Sequence, residues 1–113
     1  MLTPKRWLVA VAPVDLRCGM DRLLLIVQQQ YGQDGFDGSA YVFRNRAGHR
    51  LKVLLVDANG VWLCVRRLHL GSFVWPRQGD ALMSVSAEQF SWLLMGVDWQ
   101  RLCADLSSVQ KGL

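Results

Sequence analysis

The stretch from Tyr41 to Pro76 reads YVFRNRAGHRLKVLLVDANGVWLCVRRLHLGSFVWP, and it decides the fold that we predict. Apolar and aromatic residues alternate with basic residues along it, a period of two that is typical of β-strands. Turn-forming residues at Gly48 and at Asn59-Gly60 divide the stretch into segments that hairpins would connect. We therefore predict three consecutive strands, over 40–46, 50–56 and 61–68, and the start of a fourth strand over 73–76.

The first predicted hairpin concentrates positive charge. A three-residue loop over 47–49 would place Arg46 opposite Arg50. The same loop would place Arg44 opposite Lys52, so that four cations would share one face of the sheet. Like charges directly opposite one another destabilise a sheet, and a chain that keeps them is expected to use them on an anion.

The flanking segments predict one further strand and a helix before the stretch. Residues 7–12 form a short apolar run that is typical of a buried strand. Asp15 is predicted to cap a helix that continues to Tyr31 and stops at Gly32. We expect Phe36, in the loop that follows, to pin that loop to the core.

A second helix is predicted after the stretch. Ser86 and Gln89 have the spacing of a capping box, and Gly96 is a stop signal, so this helix should extend from Ser86 to Met95. Residues 83–85 are predicted to form an edge strand just before it. We also interpret Trp62 and Trp92 as core residues, because both lie in strongly patterned elements.

Together these elements predict an α+β fold, with a mostly antiparallel sheet of about five strands and two principal helices packed on it. The 113 residues suit a single domain over 1–113. Residues 102–113 are weakly patterned, and we predict a mobile tail there.

Positive charge is distributed unevenly along the chain. The segment from Arg44 to Arg77 contains seven basic residues against Asp57 alone, a balance of +6, whereas the remaining residues include six basic and eight acidic ones, a balance of −2. A basic segment on a slightly acidic body is typical of proteins with an anionic partner such as nucleic acid. An ordinary solvated surface is the alternative.

The sequence also indicates a compartment. The three cysteines are odd in number and widely spaced, which favours free thiols in a reducing cytoplasm over a disulfide framework. The apolar runs are too short to span a membrane, so no membrane partner is expected.

Motifs for catalysis or metal binding are not found in the sequence. Cys64 and His69 do not have metal-ligand spacing, and Cys64 is better interpreted as an apolar core residue. The chain has neither a serine-elbow motif nor a phosphate-binding glycine loop. Its one glutamate, Glu88, suits the first turn of a helix. We therefore predict no catalytic residue, no metal and no cofactor.

Several short motifs occur in an order and spacing that resemble those of a known family, the TnpB accessory proteins of the insertion-sequence-sixty-six elements. The resemblance covers about residues 5–99. The motifs are Val14-Asp15-Leu16-Arg17, Gly19-Met20-Asp21, Tyr41-Val42-Phe43-Arg44-Asn45-Arg46, Arg50-Leu51-Lys52, Asp57-Ala58-Asn59-Gly60, Arg66-Arg67-Leu68 and Phe73-Val74-Trp75-Pro76.

The resemblance implies a small bacterial protein that is encoded beside a separate transposase and is needed for efficient transposition. It supplies no catalytic residues to carry over. The chain departs from the family pattern at Cys18, where a lysine is common, and at Arg22, where a glycine is common.

Two functions follow as hypotheses, both without catalysis. The first is a transposition accessory that binds DNA, at element ends or elsewhere, through phosphate contacts from a basic face. The residues that we expect to make these contacts are Arg44, Arg46, Arg50, Lys52, Arg66 and Arg67, extended by Arg17 and Arg22.

The alternative is a protein–protein module that binds the transposase without contacting DNA. In that hypothesis the basic face meets an acidic protein surface, and Phe73, Trp75 and Trp99 are the anchors.

Overall fold

A five-stranded sheet with one helix on each face organises the protein. The structure, a computed structural model, describes residues 3–77 and 79–99. The predicted tail over 102–113 lies outside the described residues. In chain order the elements are β1 (Arg6–Ala10), α1 (Met20–Gln30), β2 (Ser39–Arg44), β3 (Arg50–Val56), β4 (Val61–Arg67), β5 (Leu82–Val85) and α2 (Ala87–Leu94).

The strands follow the order β4-β3-β2-β1-β5, and only the pairing of β1 with β2 is parallel among the described strands. A parallel pair needs a crossover, and α1 supplies it between β1 and β2. The predicted fold class, an α+β fold with a mostly antiparallel sheet and two helices, is confirmed. The expected edge strand is also confirmed, since β5 forms one border of the sheet.

On one face, here called the α1 face, α1 packs against the sheet through Leu23, Ile26 and Val27. These residues recur at helical spacing and meet Tyr41 and Phe43 of β2. The predicted start of α1 was wrong. Gly19 is the N-cap residue, and Asp15 instead accepts a hydrogen bond from the main-chain N–H of Arg17 at 3.0 Å. The carboxylate therefore closes a turn ahead of the helix.

On the opposite face, here called the α2 face, Phe90 and Leu93 of α2 are buried. The capping box is confirmed, because Ser86 and Gln89 each bind the main-chain N–H of the other. The predicted strand over 73–76 was wrong. This segment forms no ladder, and it is held by side chains, with the Trp75 indole donating to the main-chain oxygen of Ala10 at 2.7 Å.

The β2–β3 register corrects the predicted charge arrangement. Arg44 is paired with Leu51, and Phe43 is paired with Lys52. This register differs by one residue from the predicted one, and a slip of one residue moves a strand's side chains to the other face. Arg44 therefore lies on the α2 face and Lys52 on the α1 face, so the prediction of four cations on one face was wrong.

Two aromatic residues are more exposed than the sequence predicted. Phe36 has 57% of its surface exposed and does not pin its loop to the core. Trp62 is 48% exposed because β4 lies at the edge of the sheet, where its α2-face side is only partly covered. Its indole N–H donates to the Asp57 carboxylate at 3.0 Å. Trp92, by contrast, packs against the core as expected.

We expect Ser86→Ala to destabilise the protein by about 1 kcal/mol, because the helix loses its side-chain cap. Ser91→Ala in the same helix is the matched control, since Ser91 is exposed and an alanine there favours the helix. Urea unfolding followed by circular dichroism would measure both changes. Equal midpoints for the two variants would contradict a stabilising role for the cap.

Candidate nucleic-acid interface

Seven cations lie at the end of the sheet where β2 ends, β3 begins and β4 ends. We call this set the basic end. Five of its members lie on strands, Arg46 lies in the β2–β3 connection, and Arg77 lies in the segment after Trp75. The members are Arg44, Arg46, Arg50, Lys52, Arg66, Arg67 and Arg77.

Hydrogen bonds hold the β2–β3 connection in place. The Asn45 side-chain oxygen accepts from the main-chain N–H groups of Gly48 and Arg50, at 3.0 and 3.1 Å. Gly48 has a φ of 77°, a conformation that favours glycine, and its carbonyl accepts from the N–H of Phe73 at 2.7 Å. The connection is thus fixed from both sides, which gives Arg46 and Arg50 a defined starting position.

On the α1 face, Arg50 and Arg67 are direct cross-strand partners. Both are exposed, and Arg50 also lines a cleft of about 510 Å³ together with Arg46 and Arg17. A like-charge pair at this position is unfavourable for the sheet. The arrangement therefore concentrates positive charge at a place where packing alone does not require it.

Asp15 neutralises one of the predicted DNA-contacting residues, Arg17. The Arg17 guanidinium binds the Asp15 carboxylate, with the closest contact at 2.8 Å. Hydrogen bonds from the Arg17 side chain and main chain lower the pKa of Asp15 to about 2, so this carboxylate is charged at neutral pH. Arg22 lines a neighbouring cleft with Cys18 and stays exposed.

Two cations of the basic end hold main-chain oxygens. The Lys52 ammonium donates to the carbonyl of Cys18 at 3.0 Å, which ties β3 to the segment before α1. The Arg66 Nε donates to the carbonyl of Leu94 at 2.7 Å, where a cation is favourable beside the last turn of α2. These two side chains therefore use some of their N–H donors in contacts that stabilise the fold.

On the α2 face, Arg44 and Arg77 line a cavity of about 290 Å³ with Arg46. The Arg44 guanidinium lies 5.9 Å from the centre of the Trp75 ring and donates to the carbonyl of Val11 at 3.3 Å. Sequence reasoning counted Arg77 in the basic segment but did not assign it to the site. In the sequence, its position directly after Trp75-Pro76 was the signal that could have assigned it to the site.

No carboxylate among the described residues forms an ion pair with the basic end. Within residues 3–77 and 79–99, ion pairs join Arg6 to Asp37 and Arg17 to Asp15, and none involves the basic end. Asp37 precedes β2 and Asp57 follows β3, so both lie at the opposite end of the sheet. Because Arg6 pairs with Asp37 at that end, the excess of positive charge on the described sheet lies at the basic end.

The aromatic residues predicted as partner anchors lie in the core. Phe73, Trp75 and Trp99 have exposures of 5%, 6% and 1%. The Trp99 indole donates to the carbonyl of Val74 at 2.7 Å. A role for these residues in partner binding stays a prediction, and it would require the core to open.

Other kinds of site are not seen in the part of the chain that the structure describes. No three His, Cys, Asp or Glu side chains there are grouped so as to hold a metal ion. No described helix has the length and apolar character needed to cross a membrane.

Comparison with known proteins agrees with the motifs of the sequence. The family model described as IS66 Orf2 like protein matches residues 5–104. The chain is similar to two uncharacterized proteins of Sinorhizobium fredii. It is 40% identical to y4hO over 92 residues, which cover 81% of this chain and 80% of the relative. It is 36% identical to y4jC over 105 residues, 90% of each chain.

No solved structure matches the chain. The family match spans most of the described residues, including every element of the sheet and both helices. The chain therefore belongs to the IS66 Orf2-like family, which is associated with the transposition of insertion sequences as an accessory component.

Proposed function

We propose that this protein assists transposition by binding DNA through the basic end, without a catalytic step of its own. The observation that carries the proposal is the set of seven cations, which come from separate segments and have no carboxylate partner among the described residues. Nucleic acid is the partner that best fits such a surface in a protein of an insertion sequence. A bacterial cytoplasm, where element DNA resides, is the proposed location.

The cations of the basic end divide by their availability. Four arginines are exposed, and their side chains form no hydrogen bond or ion pair with the described residues: Arg46, Arg50, Arg67 and Arg77. Lys52 and Arg66 already donate to carbonyls, although each retains further N–H donors. We expect the four exposed arginines to make the main phosphate contacts.

The charge distribution also gives the proposed complex an orientation. Asp37 and Asp57 lie at the end of the sheet opposite the basic end. Arg6 pairs with Asp37 there, so the excess of positive charge lies at the basic end, and we expect that end to turn toward DNA during the encounter. Phosphate contacts position a protein without reading sequence, so recognition of an element end would require base contacts or a second protein.

A second candidate function is binding of the transposase or another protein of the element. The observation that favours it is the edge strand β4, whose Val61, Trp62 and Val65 side chains are 40%, 48% and 60% exposed. An exposed edge with apolar side chains is suited to strand addition by a partner. β4 ends at Arg67 of the basic end, so a partner strand bound to this edge would lie beside the proposed DNA contacts.

The first prediction from the proposed function concerns the salt dependence of DNA binding. Fluorescence anisotropy with labelled duplex DNA would compare an element end with a scrambled sequence across a salt series. We expect Arg46→Gln and Arg50→Gln each to weaken binding to both duplexes and to reduce the salt slope by about 0.9, the loss of one phosphate contact. The slope would stay unchanged if the β2–β3 connection did not meet DNA.

Lys5→Gln is the matched control, because it removes one exposed cation next to Gly38 at the far end of the sheet. It should leave the salt slope unchanged. If the wild-type protein does not bind duplex DNA at low salt, the DNA-binding proposal is wrong, and the edge strand β4 becomes the site to test.

The second prediction concerns the Asp15 carboxylate. Asp15→Asn keeps an oxygen that can accept from the Arg17 main chain, but it removes the charge that neutralises the guanidinium. We expect tighter DNA binding and a salt slope steeper by about 0.9, since one more cation becomes available to phosphate. Asp57→Asn changes the net charge equally at the far turn and is the control. An equal effect of both variants would point to net charge alone.

The third prediction tests whether the Arg50 and Arg67 pair lowers the stability of the fold and strengthens DNA binding. Arg67→Glu replaces a like-charge cross-strand pair with an opposite-charge pair. We expect the protein to gain about 0.2–1 kcal/mol of stability and to bind DNA more weakly. Urea unfolding and the anisotropy assay would measure the two effects. Loss of stability together with loss of binding would remove this argument for function.

A further inference from the structure

The cavity on the α2 face differs from the rest of the basic end in how its cations are held. Its guanidinium groups come from the end of β2, from the β2–β3 connection and from the segment after Trp75. The lining includes Arg44, Arg46 and Arg77, together with Gly48 and Ser72. Hydrogen bonds from Phe73 to Gly48 and from the Trp75 indole to Ala10 fix these segments relative to one another.

Arg44 has a nitrogen whose hydrogen-bonding capacity the protein leaves unused. Its Nε is buried and forms no hydrogen bond with protein atoms, although a terminal nitrogen of the same group donates to Val11. A buried unsatisfied donor on a charged group is costly, and such donors are rare in folded proteins. The position of the group over Trp75 keeps it beside the cavity despite that cost.

Positive charge in the cavity is not compensated by its lining, which contains no carboxylate. Burial lowers the pKa of Arg44, and the charge of Arg77 lowers it further. The two guanidinium groups are therefore close enough to repel each other. An anion between them would relieve this repulsion.

We propose that this cavity binds a single phosphoryl group. Arginine suits this ligand because its planar fork donates two parallel hydrogen bonds to phosphate oxygens. A volume of about 290 Å³ admits a tetrahedral oxyanion together with part of the molecule that carries it. The group could be a phosphodiester of the DNA backbone or a phosphate at a DNA end. Only the DNA source of the group rests on the proposed function.

The α1 face provides an internal comparison. Its larger cleft also contains arginines, but Asp15 lies in the lining and is ionised. That carboxylate would repel an oxyanion, so the α1 cleft is expected to attract phosphate less than the α2 cavity. The side chains of Arg67 on the α1 face and Arg77 at the α2 cavity are both exposed and form no hydrogen bond or ion pair with the described residues, which makes them a matched pair for substitution.

The experiment is a titration of the whole protein with inorganic phosphate at constant ionic strength, followed by amide resonances in nuclear magnetic resonance spectra. We expect saturable shifts at Gly48 and Phe73, which line the cavity. Arg77→Gln should weaken phosphate binding about tenfold or more, because a charge-assisted hydrogen bond is lost. Arg67→Gln, with the same change in net charge, should leave it within about twofold.

Two results would overturn the proposal. One is the absence of saturable shifts at these amides in the wild-type protein, and the other is equal weakening by Arg77→Gln and Arg67→Gln, which would indicate diffuse attraction. Neither substitution touches the core, and unchanged amide spectra outside the site would verify folding. Arg44 is left unaltered because it packs over Trp75.

A competition experiment then identifies the source of the group. Short duplexes with and without a 5′-phosphate would be added to the phosphate-bound protein. Preferential displacement by the phosphorylated duplex would assign the cavity to a DNA end, and equal displacement would assign it to the backbone. If phosphate binds and neither duplex displaces it, the cavity binds phosphate but not a phosphate group of DNA, and the salt slope of duplex binding decides the DNA-binding function separately. If duplexes bind with a steep salt slope and inorganic phosphate does not bind, the phosphate-site proposal is wrong and the DNA-binding proposal holds.

Discussion

The closure of the β2–β3 connection by the Asn45 side chain is the constraint on which the arrangement of the charges depends. By holding the N–H groups of Gly48 and Arg50, it fixes the register that pairs Arg44 with Leu51. Register in turn decides the face of each side chain along both strands. The basic residues are consequently divided between two faces, and the cavity and the cleft of the basic end arise from that division.

The division gives the two faces different chemistry. On the α1 face the cations are exposed and one of their neighbours is neutralised by Asp15. On the α2 face they surround a cavity whose lining contains no carboxylate, and a buried guanidinium nitrogen there has no partner. The proposed attraction for nucleic acid and the proposed phosphate site can thus coexist on the two faces of one sheet, and they are open to separate selection.

Much of the fold was predictable because local signals and global packing agree. The capping box at Ser86, the hairpin turns and the alternating strands each act within a few residues. The site was less predictable. Hydrophobic periodicity does not reveal a one-residue difference in loop closure. That difference places Lys52 and Arg44 on opposite faces of the sheet. The burial of Trp75 and Trp99 depends on contacts with Ala10 and Val74, which are remote in sequence.

β1 lies between β2 and β5, and this position has a consequence for the folding of the protein. β1 pairs with β2 on one side and with β5 on the other, so Trp7 lies opposite Val85. Bringing such distant residues together costs more loop entropy than closing a hairpin. During synthesis the arginines of the β2–β3 connection are exposed before Trp75 reaches the carbonyl of Ala10. A chain that has not yet folded around Trp75 presents the charges without the cavity, so the proposed phosphate binding would require the folded protein.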